Sequence, residues 1–297
     1  MKTLDYLLNL PELFWPPVIA AVCLAVLCAW LSVLVTLRRL AFIGQGISHA
    51  GFGGIGVAAV FGLASASLTP TQSLAQFAVV VAFCVAASLA VGWISTGSSR
   101  RTGVTHEDTA IGMVLVVSMA VGSILVSHFA PRFQWESFLF GYLMNTAWPE
   151  AAVAGGAAAI TLGSLWALRR PLMFWAFDEP AARAFGVRTG LAHAALLALL
   201  GLATVTAMRL AGVVLASALL ILPGAAALKL SSRLAPVLGL SLLIAVIGVL
   251  GGLVLSFELS WPPGPSIVIT LAGLYVLSAA SPAGLGQPGA APQGSRP

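Results

Sequence analysis

Three polar side chains interrupt an apolar, glycine-rich stretch of the chain, GQGISHAGFGGIG, which covers residues 44–56. Ser48 and His49 follow Gln45 by three and four residues, so a helix would carry all three on one face. Neutral imidazole is a common ligand of zinc, iron and other transition metals, and a glutamine carbonyl oxygen can also coordinate a cation. In a lipid-embedded helix such groups usually face the bundle interior or a water-filled path. The pattern therefore predicts either the polar lining of a metal path or an interhelical hydrogen bond without a ligand.

A row of small residues lies beside this polar face. It repeats at every fourth position and consists of Gly46, Ala50, Gly54 and Ala58. Small residues at this spacing let a second helix approach the backbone closely inside a membrane. We therefore expect the helix over 42–63 to pack tightly through this strip and to present the polar face next to it.

A second stretch, FDEPAARAFGV at 177–187, has the signals of a short helix outside the membrane. Asp178 can cap this helix, Pro180 suits its first turn and Gly186 can end it. Its small alanine face, flanked by Arg183, would fit a groove on a soluble partner. The alternative is a helix lying on lipid headgroups, which the small number of bulky apolar residues disfavours.

A third stretch, AGVVLASALLILPGAAALKL, places Pro223 inside a predicted span. Proline removes a backbone hydrogen-bond donor, and interrupted helices often line translocation paths. A Pro-Gly pair near a helix end is equally an ordinary structural break, and the pattern does not distinguish the two.

The elements that must position these residues are membrane-spanning helices. The 297 residues are 59% hydrophobic and 8% charged, with a mean hydropathy of +1.02, whereas soluble domains average about 25% charged residues. Several apolar runs reach about 20 residues, the length that crosses a bilayer as a helix with all its backbone groups satisfied. We predict an all-α, polytopic transmembrane helical bundle with eight or nine spans. The predicted spans cover roughly 15–37, 42–63, 73–96, 109–128, 149–168, 191–208, 210–228, 234–256 and 264–281. Two of these spans meet at Arg209, and the chain has eight crossings if one of the two is partial.

Domain organisation and orientation follow from the segments between the spans. Residues 1–281 are predicted to form a single transmembrane domain that begins with a retained helix, and the Gly/Pro-rich tail, 282–297, is predicted to be disordered. With the N-terminus outside and nine crossings, eleven of the 14 basic residues face the cytoplasm, as the positive-inside rule requires. The segment 177–187 is then cytoplasmic.

The motif content restricts the classes of function. The sequence has no GxxxxGK[ST] phosphate loop, so any nucleotide hydrolysis would need a separate chain, and no nucleophile–base pair indicates an enzyme. A secondary transporter is one alternative to a pump subunit, but it would carry coupling carboxylates near the middle of a span, where this sequence has none. A non-transporting membrane scaffold or sensor is the other alternative.

Five stretches, in the same order along 38–277, resemble the permease subunits of bacterial zinc, manganese and iron ABC importers. That family carries a G-D-x-x-S-H pattern after an Arg-Arg pair, and here Arg38 and Arg39 precede GQGISH. The other four stretches are EDTAIG, FLFGYLMNTAW, FDEPAARAFGV and GVVLASALLILPGAAALKL. Two positions differ, because Gln45 stands where the family usually has Asp and a glycine pair replaces the family's Pro-Gly after the histidine.

The resemblance implies the permease of an ABC importer that moves a divalent metal ion, zinc, manganese or iron, across the cytoplasmic membrane of a bacterium. It implies a homodimer in the lipid bilayer, a cytoplasmic ATPase dimer and an extracellular or periplasmic metal-binding protein, with no nucleic acid and no permanently bound cofactor. The implied translocation path is lined by His49, as a transient metal ligand, together with Gln45, Ser48 and Pro223. The implied contact with the ATPase uses four residues of the short cytoplasmic helix, Asp178, Glu179, Arg183 and Gly186.

Overall fold

The structure is a computed structural model that describes residues 11–64, 69–102, 107–131, 141 and 143–281. These residues form eleven α-helices and one short 3-10 helix, Leu143–Asn145, with no strand among them, which confirms the predicted all-α fold class. The predicted disordered tail, 282–297, lies outside the described residues. The α-helices are α1 (Pro11–Leu37), α2 (Ile43–Val60), α3 (Pro70–Thr102), α4 (Glu107–Phe129), α5 (Trp148–Ala167), α6 (Arg169–Phe177), α7 (Glu179–Ala184), α8 (Thr189–Leu219), α9 (Leu222–Leu230), α10 (Leu234–Leu259) and α11 (Pro263–Ala280).

Seven helical segments within the described residues are long and apolar enough to cross a membrane. Six of them lie in α1, α3, α4, α5, α10 and α11, and the seventh is the 42-residue segment Thr189–Leu230, which contains α8 and α9. The chain is therefore an integral, multi-pass membrane protein. Helix α2 is not one of the seven, but it is enclosed by α3, α4 and α8 and buries most of its residues. The prediction of eight or nine spans stays a prediction.

The backbones of α2 and α4 lie in direct contact with each other. A methyl group added to Gly56 would lie 2.8 Å from the Cα of Gly122, and Gly46 faces the side chain of Ile111. Gly46 and Gly54 of the predicted strip of small residues do meet neighbouring helices. The closest approach nevertheless uses Gly56 and Gly122, neither of which is in that strip.

Against α3, helix α2 runs antiparallel. Gly54 packs on Val80, toward the start of α3, whereas the carbonyl oxygen of Ile47 accepts a hydrogen bond from Sγ of Cys84 at 3.7 Å. The first residues of α2 therefore lie toward the far end of α3.

The first part of α8 also runs antiparallel to α3. Leu197 packs against Gly92, toward the end of α3. Further along α8, Arg209 donates hydrogen bonds to the carbonyl and hydroxyl oxygens of Ser73, near the start of α3, and its guanidinium lies 5.4 Å from the centre of the Phe77 ring. The predicted junction between two spans at Arg209 is therefore wrong, because α8 continues through this residue.

The chain turns back at Gly212, three residues after the predicted junction. Gly212 has φ 85° and ψ 166°, a backbone conformation that glycine adopts without the steric cost of a Cβ. Gly141 packs at this turn, since a methyl group on it would lie 2.8 Å from the Cα of Ala211. After the turn, Leu220 packs against Gly44 at the start of α2, which is the end of the bundle opposite to Arg209. The 42-residue segment therefore reverses direction within itself.

The contact between α2 and α4 predicts a stability difference between two glycines of the same helix. A methyl group on Gly122 would press on the carbonyl oxygen of Phe52 and lie 2.7 Å from the amide nitrogen of Gly53, whereas Gly112 has no neighbouring atom within 4 Å. We expect Gly122→Ala to lower the free energy of unfolding by about 1–3 kcal/mol, the usual cost of overpacking. Gly112→Ala should leave it unchanged or raise it, because alanine favours the helix. Thermal unfolding of both variants in detergent tests this, and equal midpoints would contradict the backbone contact.

Candidate functional site

The three polar residues of α2 lie in different surroundings. Ser48 is fully buried, and its hydroxyl donates a 2.7 Å hydrogen bond to the carbonyl oxygen of Gly44 in the same helix. Gln45 is exposed at the surface of the chain. His49 is half-buried, and its ring stacks on that of Phe52 with the centroids 5.9 Å apart. Only Gln45 and His49 therefore present side-chain surface that a ligand can reach.

His49 carries a buried nitrogen, Nδ1, that has no hydrogen-bond partner among the described residues. Buried polar atoms in proteins are nearly always paired, so each exception needs an explanation. The predicted alternative, an interhelical hydrogen bond, finds no partner for this atom in the described part of the chain. This nitrogen therefore has hydrogen-bonding and metal-ligating capacity that the described part of the chain leaves unused.

Metal-ligating side chains are sparse around His49. Within the residues that the structure describes, no group of three or more His, Cys, Asp or Glu side chains could hold a metal ion. Zinc and similar ions normally take several protein ligands in a resident site. The described residues of one chain therefore supply His49 without a set of His, Cys, Asp or Glu ligands around it.

Pro223 begins a helix and does not interrupt one. It lies in the first turn of α9, where its missing N–H is not needed. The break lies directly before it, at Leu220 and Ile221, which agrees with the predicted alternative of an ordinary break near a helix end. Pro223 is buried, and its neighbour Gly224 packs on the backbone of α1, where an added methyl group would lie 2.6 Å from the amide nitrogen of Val33. A place for Pro223 in a translocation path stays a prediction.

The predicted short helix exists as α7 and has the predicted ends. Oδ1 of Asp178 accepts a 2.9 Å hydrogen bond from the amide of Ala181, and Gly186, with φ 79°, follows the last turn. Ala182, in the middle of the alanine face, is fully buried inside the chain. Ala182 therefore anchors α7 to the bundle and cannot face a partner, whereas Ala184 of the same face is exposed, so a docking role of the alanine face stays a prediction.

The exposed surface around α7 is aromatic. Phe185 is 79% exposed and Phe177 is 58% exposed, and the rings of Phe174 and Phe185 lie 5.7 Å apart. We call these three residues the phenylalanine patch. Exposed apolar side chains grouped in this way mark interaction surfaces. Sequence reasoning missed the patch, although three phenylalanines in a segment predicted to lie outside the membrane were a usable signal.

Glu179 connects α7 to the long helices. Its carboxylate accepts a 2.7 Å hydrogen bond from Arg38, which follows α1, and forms a second ion pair with Arg183 one turn further along α7. The guanidinium of Arg38 lies 3.9 Å from the centre of the Trp175 ring, and that ring stacks on His193 of α8 at 5.3 Å. The end of α1 and helices α6, α7 and α8 therefore meet in one group of side chains, Arg38, Trp175, Glu179 and His193, which we call the Arg38 cluster.

Electrostatics keep this connection intact at neutral pH. Burial raises the pKa of Glu179, but the hydrogen bonds and positive charges of Arg38 and Arg183 outweigh burial and hold that pKa below its usual value. The carboxylate therefore stays ionised, and both ion pairs persist. The sequence pattern named Glu179 and Arg183 for this region, but it did not identify Arg38 and Trp175 as their partners.

Known proteins resemble this chain over nearly its whole length. The Manganese transport system membrane protein MntC of Halalkalibacterium halodurans is 30% identical over 260 residues, which are 87% of this chain and 84% of the relative. A Probable iron transport system membrane protein of Haemophilus influenzae is 28% identical over 262 residues, which are 88% of this chain and 91% of the relative.

A solved structure of another protein resembles this chain in its fold. In a structure described as PsaBC from Streptococcus pneumoniae in complex with Fab, one chain matches with a TM-score of 0.79 and 25% identity, over 96% of this chain and 97% of that one. The family model described as the ABC 3 transport family matches residues 11–281, which include all eleven α-helices. The chain therefore belongs to the ABC 3 transport family.

Proposed function

We propose that this chain is the membrane-spanning permease of an ABC importer that moves a divalent metal ion across the cytoplasmic membrane of a bacterium. Relatives that match most of the chain are named for manganese and iron transport, which favours these two ions as cargo, with zinc as the third candidate. The observation that most directly supports the proposal concerns His49, which lies on a helix enclosed by α3, α4 and α8. Its Nδ1 has no hydrogen-bond partner among the described residues. A neutral imidazole in this place is a donor that a divalent cation can use.

We infer nine crossings, with the N-terminus outside. Seven segments qualify as spans by length and composition, and the reversal at Gly212 divides one of them into two passages. Helix α2 adds the ninth, because it runs antiparallel to α3 and is enclosed by α3, α4 and α8. This topology places α7 and the phenylalanine patch on the cytoplasmic side.

The path in this proposal lies at the centre of a homodimer. One chain offers a metal ion His49 and the exposed carbonyl oxygen of Gln45, so equivalent side chains of a second copy would supply the further ligands. Ser48 has a structural role in this face, since its hydroxyl is already hydrogen-bonded to its own helix. Pro223 lies at the start of α9, which follows the reversal at Gly212. Neutral ligands hold a divalent cation less tightly than carboxylates do, which suits a site that must release its ion. An extracellular or periplasmic metal-binding protein delivers the ion.

The coupling surface in this proposal consists of α7 and the phenylalanine patch. A separate cytoplasmic ATPase docks there, because the chain itself has no phosphate loop. Asp178 and Gly186 define the ends of α7, and Glu179 with Arg183 holds it in place. Movement of the ATPase then reaches α1 through Arg38 and reaches α8 through the rest of the Arg38 cluster.

Removing the imidazole of the proposed path should abolish transport. We expect His49→Ala to lower ATP-dependent uptake of radioactive manganese into proteoliposomes by about tenfold or more, the scale on which metal-site groups act. The assay needs the cognate ATPase and binding protein. His128→Ala is the matched control, because His128 is exposed near the end of α4, whereas His49 lies in the first half of α2, which packs on the start of α4 through Gly46 and Ile111. Full uptake by His49→Ala would contradict the assignment of the path.

A charge in the phenylalanine patch should release the ATPase. We expect Phe185→Asp to abolish co-purification of the ATPase with the permease, because it would bury a carboxylate against the partner. Phe61→Asp is the control, since Phe61 is also strongly exposed but follows the other end of α2. A substitution of Ala182 is unsuitable, because that residue is buried within the chain. A retained complex with Phe185→Asp would argue against docking at this patch.

The ion pairs of Glu179 predict a loss of stability in acid. Because its folded pKa is depressed, the ionised carboxylate stabilises the chain above the unfolded pKa of about 4.5, and this contribution disappears as pH falls through the folded pKa. The difference in unfolding midpoint between the wild type and Glu179→Gln should therefore be constant near neutral pH and shrink below about pH 4.5. Thermal unfolding in detergent across this range measures it. A difference that stays constant down to pH 3 would show that the carboxylate charge contributes nothing.

A further inference from the structure

A groove opens between α1, α5, α6 and α10, separate from α2 and from α7. Its cavity volume is about 420 Å³. The walls are apolar and are formed by Trp30 and Leu34 of α1, Met173 of α6 and Leu238 of α10. One end of the groove is lined by Arg169 and Arg170 at the start of α6.

The position of the groove relative to the membrane follows from the ends of the spans. The spanning segment in α5 ends at Ala167, and the one in α10 begins at Leu234. Arg169 and Arg170 therefore lie just outside the spanning segments, whereas Trp30, Leu34 and Leu238 of the apolar walls lie within them. This arrangement places cations at headgroup level and apolar surface at the level of the acyl chains.

Among the described residues, the two arginines have no acidic partner. The ion pairs among the described residues join Glu179 to Arg38 and Arg183, and neither involves Arg169 or Arg170. Arg169 instead lies over the ring of Trp166 at 4.9 Å. Arg233 directly precedes Leu234, which lines the groove, but its side chain is not part of the lining. The rim is thus complementary to an anion that brings an apolar tail.

We propose that this groove binds an anionic phospholipid such as phosphatidylglycerol. The phosphate lies on Arg169 and Arg170, and one acyl chain lies along Trp30, Leu34 and Leu238. Basic pockets between spanning helices on the cytoplasmic side recognise anionic headgroups in this way. A free phosphate ion would leave the apolar walls uncovered, and a zwitterionic lipid would bring its own cation to the rim. The inference rests on the groove, its charges and the inferred topology, and it does not depend on the proposed transport of metal.

The test compares lipid binding by native mass spectrometry of the full chain in mild detergent. Phosphatidylglycerol and phosphatidylcholine with the same acyl chains are titrated separately. We expect the wild type to bind phosphatidylglycerol more tightly, and Arg169→Gln/Arg170→Gln to weaken that binding by about tenfold or more. Arg39→Gln/Arg188→Gln is the matched control, because it removes two exposed positive charges from the same end of the chain and should bind as the wild type does.

The apolar part of the groove is tested with a second variant. Met173→Trp would fill the cavity without changing the charge and should also weaken binding of phosphatidylglycerol, while thermal unfolding confirms that the variant is folded. Equal affinity for the two lipids would overturn the proposal. An equal loss of phosphatidylglycerol binding in the Arg39→Gln/Arg188→Gln control would also overturn it. The same holds if millimolar inorganic phosphate displaces the lipid, or if a second copy of the chain occupies the groove and excludes lipid.

Discussion

Close backbone contact between α2 and α4 determines where the polar groups of this chain can lie. Helix α2 carries Gln45, Ser48 and His49 and is not apolar enough to count among the spans on hydropathy alone. Because Gly56 and Gly122 have no side chains, the two backbones approach closely enough for α2 to be enclosed by other helices and shielded from lipid. Ser48 and the half-buried His49 are thus carried within the bundle, where polar groups in membranes are tolerated, whereas Gln45 stays exposed at the surface of the chain.

Two arginines hold α8 at opposite ends of the bundle. Arg38 contacts Trp175, whose ring stacks on His193 near the start of α8, and Arg209 bonds to Ser73 near the start of α3. Each guanidinium also lies over an aromatic ring, which offsets part of the cost of removing its charge from water. The same contacts connect α7, outside the spans, with the helices that enclose α2. A displacement of α7 therefore has a continuous route of packed side chains into the bundle.

Local signals in the sequence predicted the features that depend on neighbouring residues. The cap at Asp178 and the glycine at Gly186 predicted both ends of α7, because a helix end is decided within one turn. Predictions that depended on packing were less accurate. The reversal occurs at Gly212 and not at Arg209, because Arg209 has a partner on α3 that keeps it within the helix. The alanine face of α7 looked suited to a partner, yet Ala182 is buried against its own chain.

The sequence by itself determined the class of this protein. Its apolar runs of about 20 residues have the length at which a helix spans the bilayer with its own backbone groups satisfied, and the spacing of Gln45, Ser48 and His49 places them together on one helix. The tertiary structure alone decided which of these side chains stays unpartnered and which distant residues meet. Arg38 and Glu179 are 141 positions apart, and Leu220 reaches Gly44 only after the chain has turned back. Such contacts depend on how whole helices pack, whereas periodicity and capping report only on residues within a few positions of each other.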